Sequence, residues 1–336
     1  MEKSPDTMAW LAKSDGTLVI GHGPFTESSV PPPDGVAFYV QTFALEDPRP
    51  WKIPNRFERT SVDSFSNPLR NTPPIECVWS APQAGDFSVV FQEIMVAIES
   101  GIFEKTVPVV TELGTARQHP ASGIVRAMMR QTAPLHSYGW TERDSGFAGA
   151  TPELLFSLNG THLETMALAG TARSADREVF AVDEKEIREH EYVAETLLAK
   201  LLDLGEPQSQ ARQIIDLGSI VHFLTRIHLN LKSPVSPESL IRRLHPTPAL
   251  GPLPSTPETL SLLIEWRNRL GCPPEFGAPF ALWDHGDFTA VVAIRGIWWS
   301  DYQIQLPAGC GIIEPSRLIN EWRELRLKRE AVKLFL

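Results

Sequence analysis

The chain has 336 residues, 42% of them hydrophobic, and a formal net charge of −10. That length suits one large domain or two ordinary ones, and the acidic balance argues against nucleic acid or an anionic membrane as a general partner. An anionic small molecule would therefore need a local basic or metal site. Cys77, Cys272 and Cys310 are few and widely spaced, which excludes a disulfide framework or a Cys-based zinc site and suits a reducing compartment. The opening MEKSPDTMAWLAKSDG has no apolar core of a signal peptide, and no run reaches membrane-spanning length, so a soluble cytoplasmic protein is expected.

Residues 17–20, 36–43 and 78–79 read as strands, separated by Pro-rich loops at 31–35 and 47–50. Residues 87–100 have helical apolar spacing and Gly101 ends them. The next strand, 103–110, carries Lys105 within an apolar run, where a lysine commonly snorkels to the surface. Residues 126–130 read as helix and 137–140 as a strand edge. Thr151-Pro152-Glu153 then opens a buried strand over 154–158, closed by an Asn159-Gly160 turn. The returning strand, 162–169, ends in Ala169-Gly170-Thr171. Taken alone, Glu153 reads as a solvated strand end.

A helix begins at Asp183 and runs to about residue 204, with Glu186 and Glu189 on one face and His190 beside them. Glu321 and Glu324 repeat that spacing at the start of the last helix, which continues through Lys328 to about residue 334. Two helices each presenting two carboxylates could converge on one Mg²⁺; acidic residues equally suit a solvated first turn. Residues 218–228 read as a strand pair holding His222 and His228, where a histidine is more often a hydrogen-bonded core residue than a ligand. A short helix at 240–244 leads into His245-Pro246-Thr247-Pro248-Ala249-Leu250, and residues 256–270 form a helix ended by Gly271. A buried strand over 288–295 finishes on Arg295, which could grip a carboxylate bidentately or be an exposed strand-end charge. In Ala308-Gly309-Cys310-Gly311-Ile312, small residues would let backbone N–H groups approach an anion.

Seven segments stand in a fixed order: FAGATPE at 147–153, ALAGT at 167–171, KEIREHE at 185–191, HPTPAL at 245–250, AIR at 293–295, AGCGI at 308–312 and EWRE at 321–324. Through them the chain, from about Pro82 onward, resembles the chorismate-utilising enzymes, a family of isochorismate, anthranilate, aminodeoxychorismate and salicylate synthases. Ala249 stands where ammonia-using and salicylate-forming members tend to carry Thr or Ser, so the likeness is greatest to isochorismate synthases. The resemblance implies an α+β fold: a large two-layer β-sandwich with helices packed outside and the site between the sheets. It implies a single chorismate-binding domain over 1–336, with 1–76 a divergent, shortened part and 77–336 the core.

It further implies chorismate as substrate and Mg²⁺ as cofactor, coordinated through Glu189 and Glu324 with Glu186 and Glu321 holding its waters. Lys105 becomes the base that activates water, and Glu153 the general acid, which must hold a proton near neutral pH. Gly170, Thr171, His222, Ala249, Arg295, Gly309, Gly311 and Lys328 fall around the substrate. No glutaminase subunit is expected, and the state is a monomer or weak dimer. Pro108, Val110, Ala278, Ala281 and Cys310 depart from the family's usual residues. The rival readings are a salicylate synthase, an ammonia-using synthase, and a non-catalytic binding protein on the same fold.

Overall fold

A computed structural model describes residues 7–62, 64 and 75–336. One antiparallel ladder passes through nearly all of its strands and is folded into two layers. The first layer runs Cys77–Ser80, Val109–Ala116, Gln303–Gly309, Gly296–Ser300, Ser145–Thr151, His136–Glu142, Met8–Ala12. The second runs Gln213–Asp216, Ile220–Asn230, His162–Arg173, Leu154–Asn159, Asp287–Val292, Pro279–Asp284, Val36–Val40. Thr17–Ser28 and Trp51–Ser61 join the two layers edge to edge. The N-terminal strands thus complete the sheets.

Large side chains from both layers, Phe38, Tyr138, Phe147, Phe280 and Trp298, fill the space between them. The outer faces bury their apolar rows against helices. Val193 and Leu197 of Glu184–Leu201, Leu240 of Pro237–Leu244 and Leu263 of Pro257–Arg269 cover one layer. Ile124 and Met128 of Ala121–Met129 cover the other. This is the expected α+β sandwich with helices outside. Among the described residues no helix is long and apolar enough to cross a membrane.

Several elements differ from the sequence reading. The stretch 218–228 is not a strand pair: Ile220–Asn230 is one strand, flanked by His162–Arg173 and Gln213–Asp216. Its only turn residue, Gly218 at φ +91°, precedes the strand. Met8–Ala12 and Trp51–Ser61 are strands that composition did not suggest. The second carries Pro54 opposite a register shift between His22 and Phe25, the kind of irregular site where a strand tolerates proline.

Proline also divides the expected strand 103–110. Lys105–Thr106 pairs with Ile312–Ile313 in a separate ribbon, and Val109–Ala116 starts after Pro108. Lys105 is thereby turned out of the main sheet. The strand expected to finish on Arg295 ends at Val292, and Arg295 itself sits at φ +56° in the connection to the other layer. That conformation is strained for a residue with a Cβ. A second crossing, at Pro152-Glu153, lies beside it: Val292 N–H donates to Glu153 O at 3.0 Å, and Ala150 N–H to Arg295 O at 3.1 Å. Glu153 and Arg295 are therefore fixed where the chain passes between layers.

Candidate active site

At these crossings lies a cavity that is partly open to solvent. Glu153, Gly170, Thr171, Glu189, His222, Ala249, Arg295, Gly309, Gly311 and Lys328 line it, together with apolar surface from Leu168, Leu250, Phe276, Ile294 and Pro307. Ten residues singled out from the sequence thus share one wall. Glu186, Glu321 and Glu324 border a second opening, which meets the first at Thr171. Lys105 is completely buried and stands one layer behind the wall.

The Ala169-Gly170-Thr171 turn is a bulge in the pairing of strands 162–173 and 220–230. Gly170 has φ +73°, open to glycine at little cost. The bulge aims the Thr171 N–H at Glu186 Oε2, 2.7 Å away, and the Gly170 carbonyl at His222 Nδ1, 2.6 Å away. Arg295 Nη2 lies 2.9 Å from His222 Nε2. A guanidinium only donates, so Nε2 is the acceptor and Nδ1 carries the proton. Burial first, and Arg295 second, hold the His222 pKa well below the usual range, in keeping with a neutral ring. With both nitrogens engaged, His222 positions Arg295 and does not itself offer a bond to a ligand. Burial lowers the Arg295 pKa to about 10, which leaves it cationic. Among the described residues no carboxylate lies within ion-pair distance of it, so an anion entering the cavity meets a guanidinium whose charge is not paired.

The loop at 245–250 holds the candidate acid and amine on consecutive residues. Thr247 Oγ1 donates to Glu153 Oε1 at 2.9 Å, and Lys105 Nζ donates to the Pro248 carbonyl at 2.7 Å. Ala249 follows at the cavity wall. His245 Nε2 anchors the loop on Phe43 O at 2.7 Å. Burial raises the Glu153 pKa from 4.5 to about 7 against the opposing pull of Thr247 and Lys105, so its carboxyl holds a proton near neutrality. The contacts of Thr247 and the Pro248 carbonyl with the candidate acid and amine were missed by sequence reasoning. Two prolines around one threonine in a cavity loop were the available signal.

The two helices converge as the paired glutamates suggested. Lys105 Nζ lies 3.1 Å from Glu189 Oε1, Lys185 Nζ 3.0 Å from Glu186 Oε1 and 3.3 Å from Glu321 Oε1, and Lys328 Nζ 2.6 Å from Glu324 Oε1. Lys328 also donates to the Gly309 carbonyl at 2.9 Å. Four carboxyl groups thus face three lysine side chains. Buried Glu321 is met by Lys185 and by the Ser316 side chain. Burial, then Glu189 for Glu186 and Glu324 for Glu321, raises these two carboxyls to about 7. Burial also pushes Glu189 up, but Lys105, Lys185 and Lys328 reverse it and leave Glu189 below the usual range. Clustered hard oxygen donors, with a buried carboxylate that only Lys185 meets as a cation among the described residues, fit a divalent cation such as Mg²⁺. His190 takes no part: its Nε2 meets Thr225 Oγ1 at 2.9 Å, against the sheet.

Gly311 sets the closeness of this cluster. A Cβ there would stand 2.1 Å from Glu189 Oε1 and 2.9 Å from Lys105 Cε. Gly311→Ala must displace one of them, so we expect a loss of Mg²⁺ affinity of about ten-fold or more with the fold intact. Calorimetric titration of Mg²⁺, with circular dichroism as the control, checks this. Unchanged affinity would show that the packing is not limiting. The expected anion nest at 308–312 is narrower than the sequence suggested, because Cys310 N–H points to Pro108 O at 3.4 Å.

The profile of the chorismate binding enzyme family matches residues 51–336. The chain belongs to that family. The match reaches further toward the N-terminus than the resemblance read from the sequence, which began near Pro82. This family member is 31% identical over 195 residues to isochorismate synthase EntC of Escherichia coli K12, covering 54% of this chain and 48% of EntC. It is 28% identical over 272 residues to the salicylate biosynthesis isochorismate synthase of Pseudomonas aeruginosa, with 76% and 55% covered. The chain thus spans about half the length of these curated relatives. In fold it is similar to MenF, the menaquinone-specific isochorismate synthase of Escherichia coli, with a TM-score of 0.83 at 17% identity over 100% of this chain and 90% of that one.

Proposed function

We propose that the protein is a Mg²⁺-dependent isochorismate synthase that converts chorismate to isochorismate. The observation that carries the reading is the loop at 247–248, which ties the Glu153 carboxyl and the buried Lys105 amine to adjacent residues, in a site with a guanidinium that no carboxylate pairs among the described residues. Arg295 and Lys328 would bind one substrate carboxylate. Mg²⁺, held through Glu189 and Glu324 with Glu186 and Glu321 on its waters, would neutralise the other. Curated relatives named isochorismate synthase support the same reaction class.

In the reaction proposed, Lys105, once its amine has released its own proton to solvent, takes a proton from a water as that water's oxygen bonds to C2 of the ring. The ring double bond shifts, the C4–O bond breaks, and Glu153 gives its proton to the departing hydroxyl, which leaves as water. One water enters and one leaves, so the net change is an isomerisation. At rest the Lys105 amine donates to Glu189 and Pro248 O, and it must yield one of these bonds to reach a water. Burial suits Glu153 to the opposite task, since a carboxyl protonated near pH 7 is a competent general acid. Ala249 offers a methyl where a hydroxyl could hydrogen-bond at the substrate's rim, which favours water addition over the ammonia-using reaction, and no glutaminase partner is then required.

Incubation with chorismate, with and without Mg²⁺, tests the reading by chromatography of the products. Isochorismate formed only with the metal is expected. Salicylate or anthranilate would keep the site and overturn the subtype, whereas no consumption would point to a binding protein on this fold.

A further inference from the structure

Lys185 has no role in the mechanism above, and the sequence reading passed over it as the residue before Glu186. Its place is unusual for a residue in a helix's first turn. Part-exposed at 25% of its side chain, it turns toward the neighbouring helix, and its Nζ sits between Glu186 Oε1 at 3.0 Å and Glu321 Oε1 at 3.3 Å. It is the only cation within ion-pair distance of Glu321 among the described residues. Lys105 and Lys328 each serve one carboxylate and are committed to backbone carbonyls as well, of Pro248 and Gly309. Lys185 spans two carboxylates on two helices. Its side chain borders the second opening, so a way out to solvent exists.

We propose that the Lys185 ammonium is a tethered cation that occupies the carboxylate cluster in the metal-free protein and is displaced when a divalent cation binds. The inference rests on the reading of the four glutamates as a divalent-metal site. Without a cation between them, Glu186 and Glu321 would bring like charges from two helices into a buried space, where repulsion is weakly screened. A lysine supplies the charge from a flexible stem and withdraws without unfolding anything, because an ammonium is a compact point charge with a well-hydrated alternative. The arrangement keeps the empty site shaped and makes metal binding a competition, which lowers affinity in the resting protein.

The test is Mg²⁺ binding to the full chain and to Lys185→Met, read by calorimetry and by thermal melting, together with amine labelling of wild-type Lys185 followed by mass spectrometry. Three results are expected. The variant binds Mg²⁺ more tightly by about ten-fold or more, its metal-free form melts at a lower temperature than wild type, and Lys185 labels faster once Mg²⁺ is added. A variant that binds Mg²⁺ no more tightly than wild type, or a Lys185 that stays equally protected with metal, would overturn the proposal while leaving the metal site standing. Absence of Mg²⁺ binding in both proteins would overturn the proposal and the metal reading together.

Discussion

Glu153→Gln is expected to lower chorismate turnover by about two to four orders of magnitude, the usual worth of a positioned general acid. The same change should stabilise the protein in alkaline buffer. In the folded chain the Glu153 carboxyl titrates at about 7 instead of 4.5, so the folded state holds the proton more tightly than the unfolded one. Stability linked to that group is complete below the ordinary value and is lost as pH rises through the folded value. The loss amounts to about 3 kcal/mol by roughly pH 8. Glutamine stays neutral at every pH and still accepts from Thr247, so it escapes that loss. Melting curves should therefore show the variant gaining over wild type as pH increases, with little difference at acid pH. Wild-type turnover should fall on the alkaline side as the acid form disappears. Turnover within a factor of about ten of wild type would remove Glu153 from the mechanism.

Lys105→Ala should abolish turnover to a comparable degree, for a different reason. The amine is completely buried and is the nearest partner of Glu189. Its removal strands a carboxylate in the interior, at a cost of about 3–5 kcal/mol to the metal-free protein. Mg²⁺ should restore part of that stability by neutralising Glu189, yet should not restore turnover, because no group remains to accept the proton of the attacking water. Melting temperatures with and without Mg²⁺ separate the two effects. Activity that returned along with the stability would make Lys105 a structural partner of Glu189 and nothing more.

The sequence revealed the site more fully than it revealed the sheet around it. Glu186, Glu189, Glu321 and Glu324 were visible because helix geometry fixes what i and i+3 share, although it could not bring two helices together. The convergence depends on packing across strands 162–173 and 303–309. Gly170 was found as part of a motif, but its reason, a bulge that sends one N–H to Glu186 and one carbonyl to His222, lies in the register of two distant strands. Arg295 looked like a strand end because Ala290 to Ile294 is uniformly apolar; its left-handed backbone and its place at a crossing between layers are tertiary facts. Pro108 was legible as an interruption, while its consequence, a separate ribbon that turns Lys105 toward Gly311, was not. Lys185 was unreadable for the same reason: next to Glu186 on a helix it looked like a solvated charge, and only the second helix gives it a destination.

The most direct measurement of the central claim is mass analysis of the product formed from chorismate and Mg²⁺ in oxygen-18 water. Attack of a water at C2 with loss of the C4 hydroxyl predicts isochorismate carrying one heavy oxygen, formed only when Mg²⁺ is present. Isochorismate without the label would mean that the C4 hydroxyl migrates within the ring, and the roles given to Lys105 and Glu153 would then be wrong.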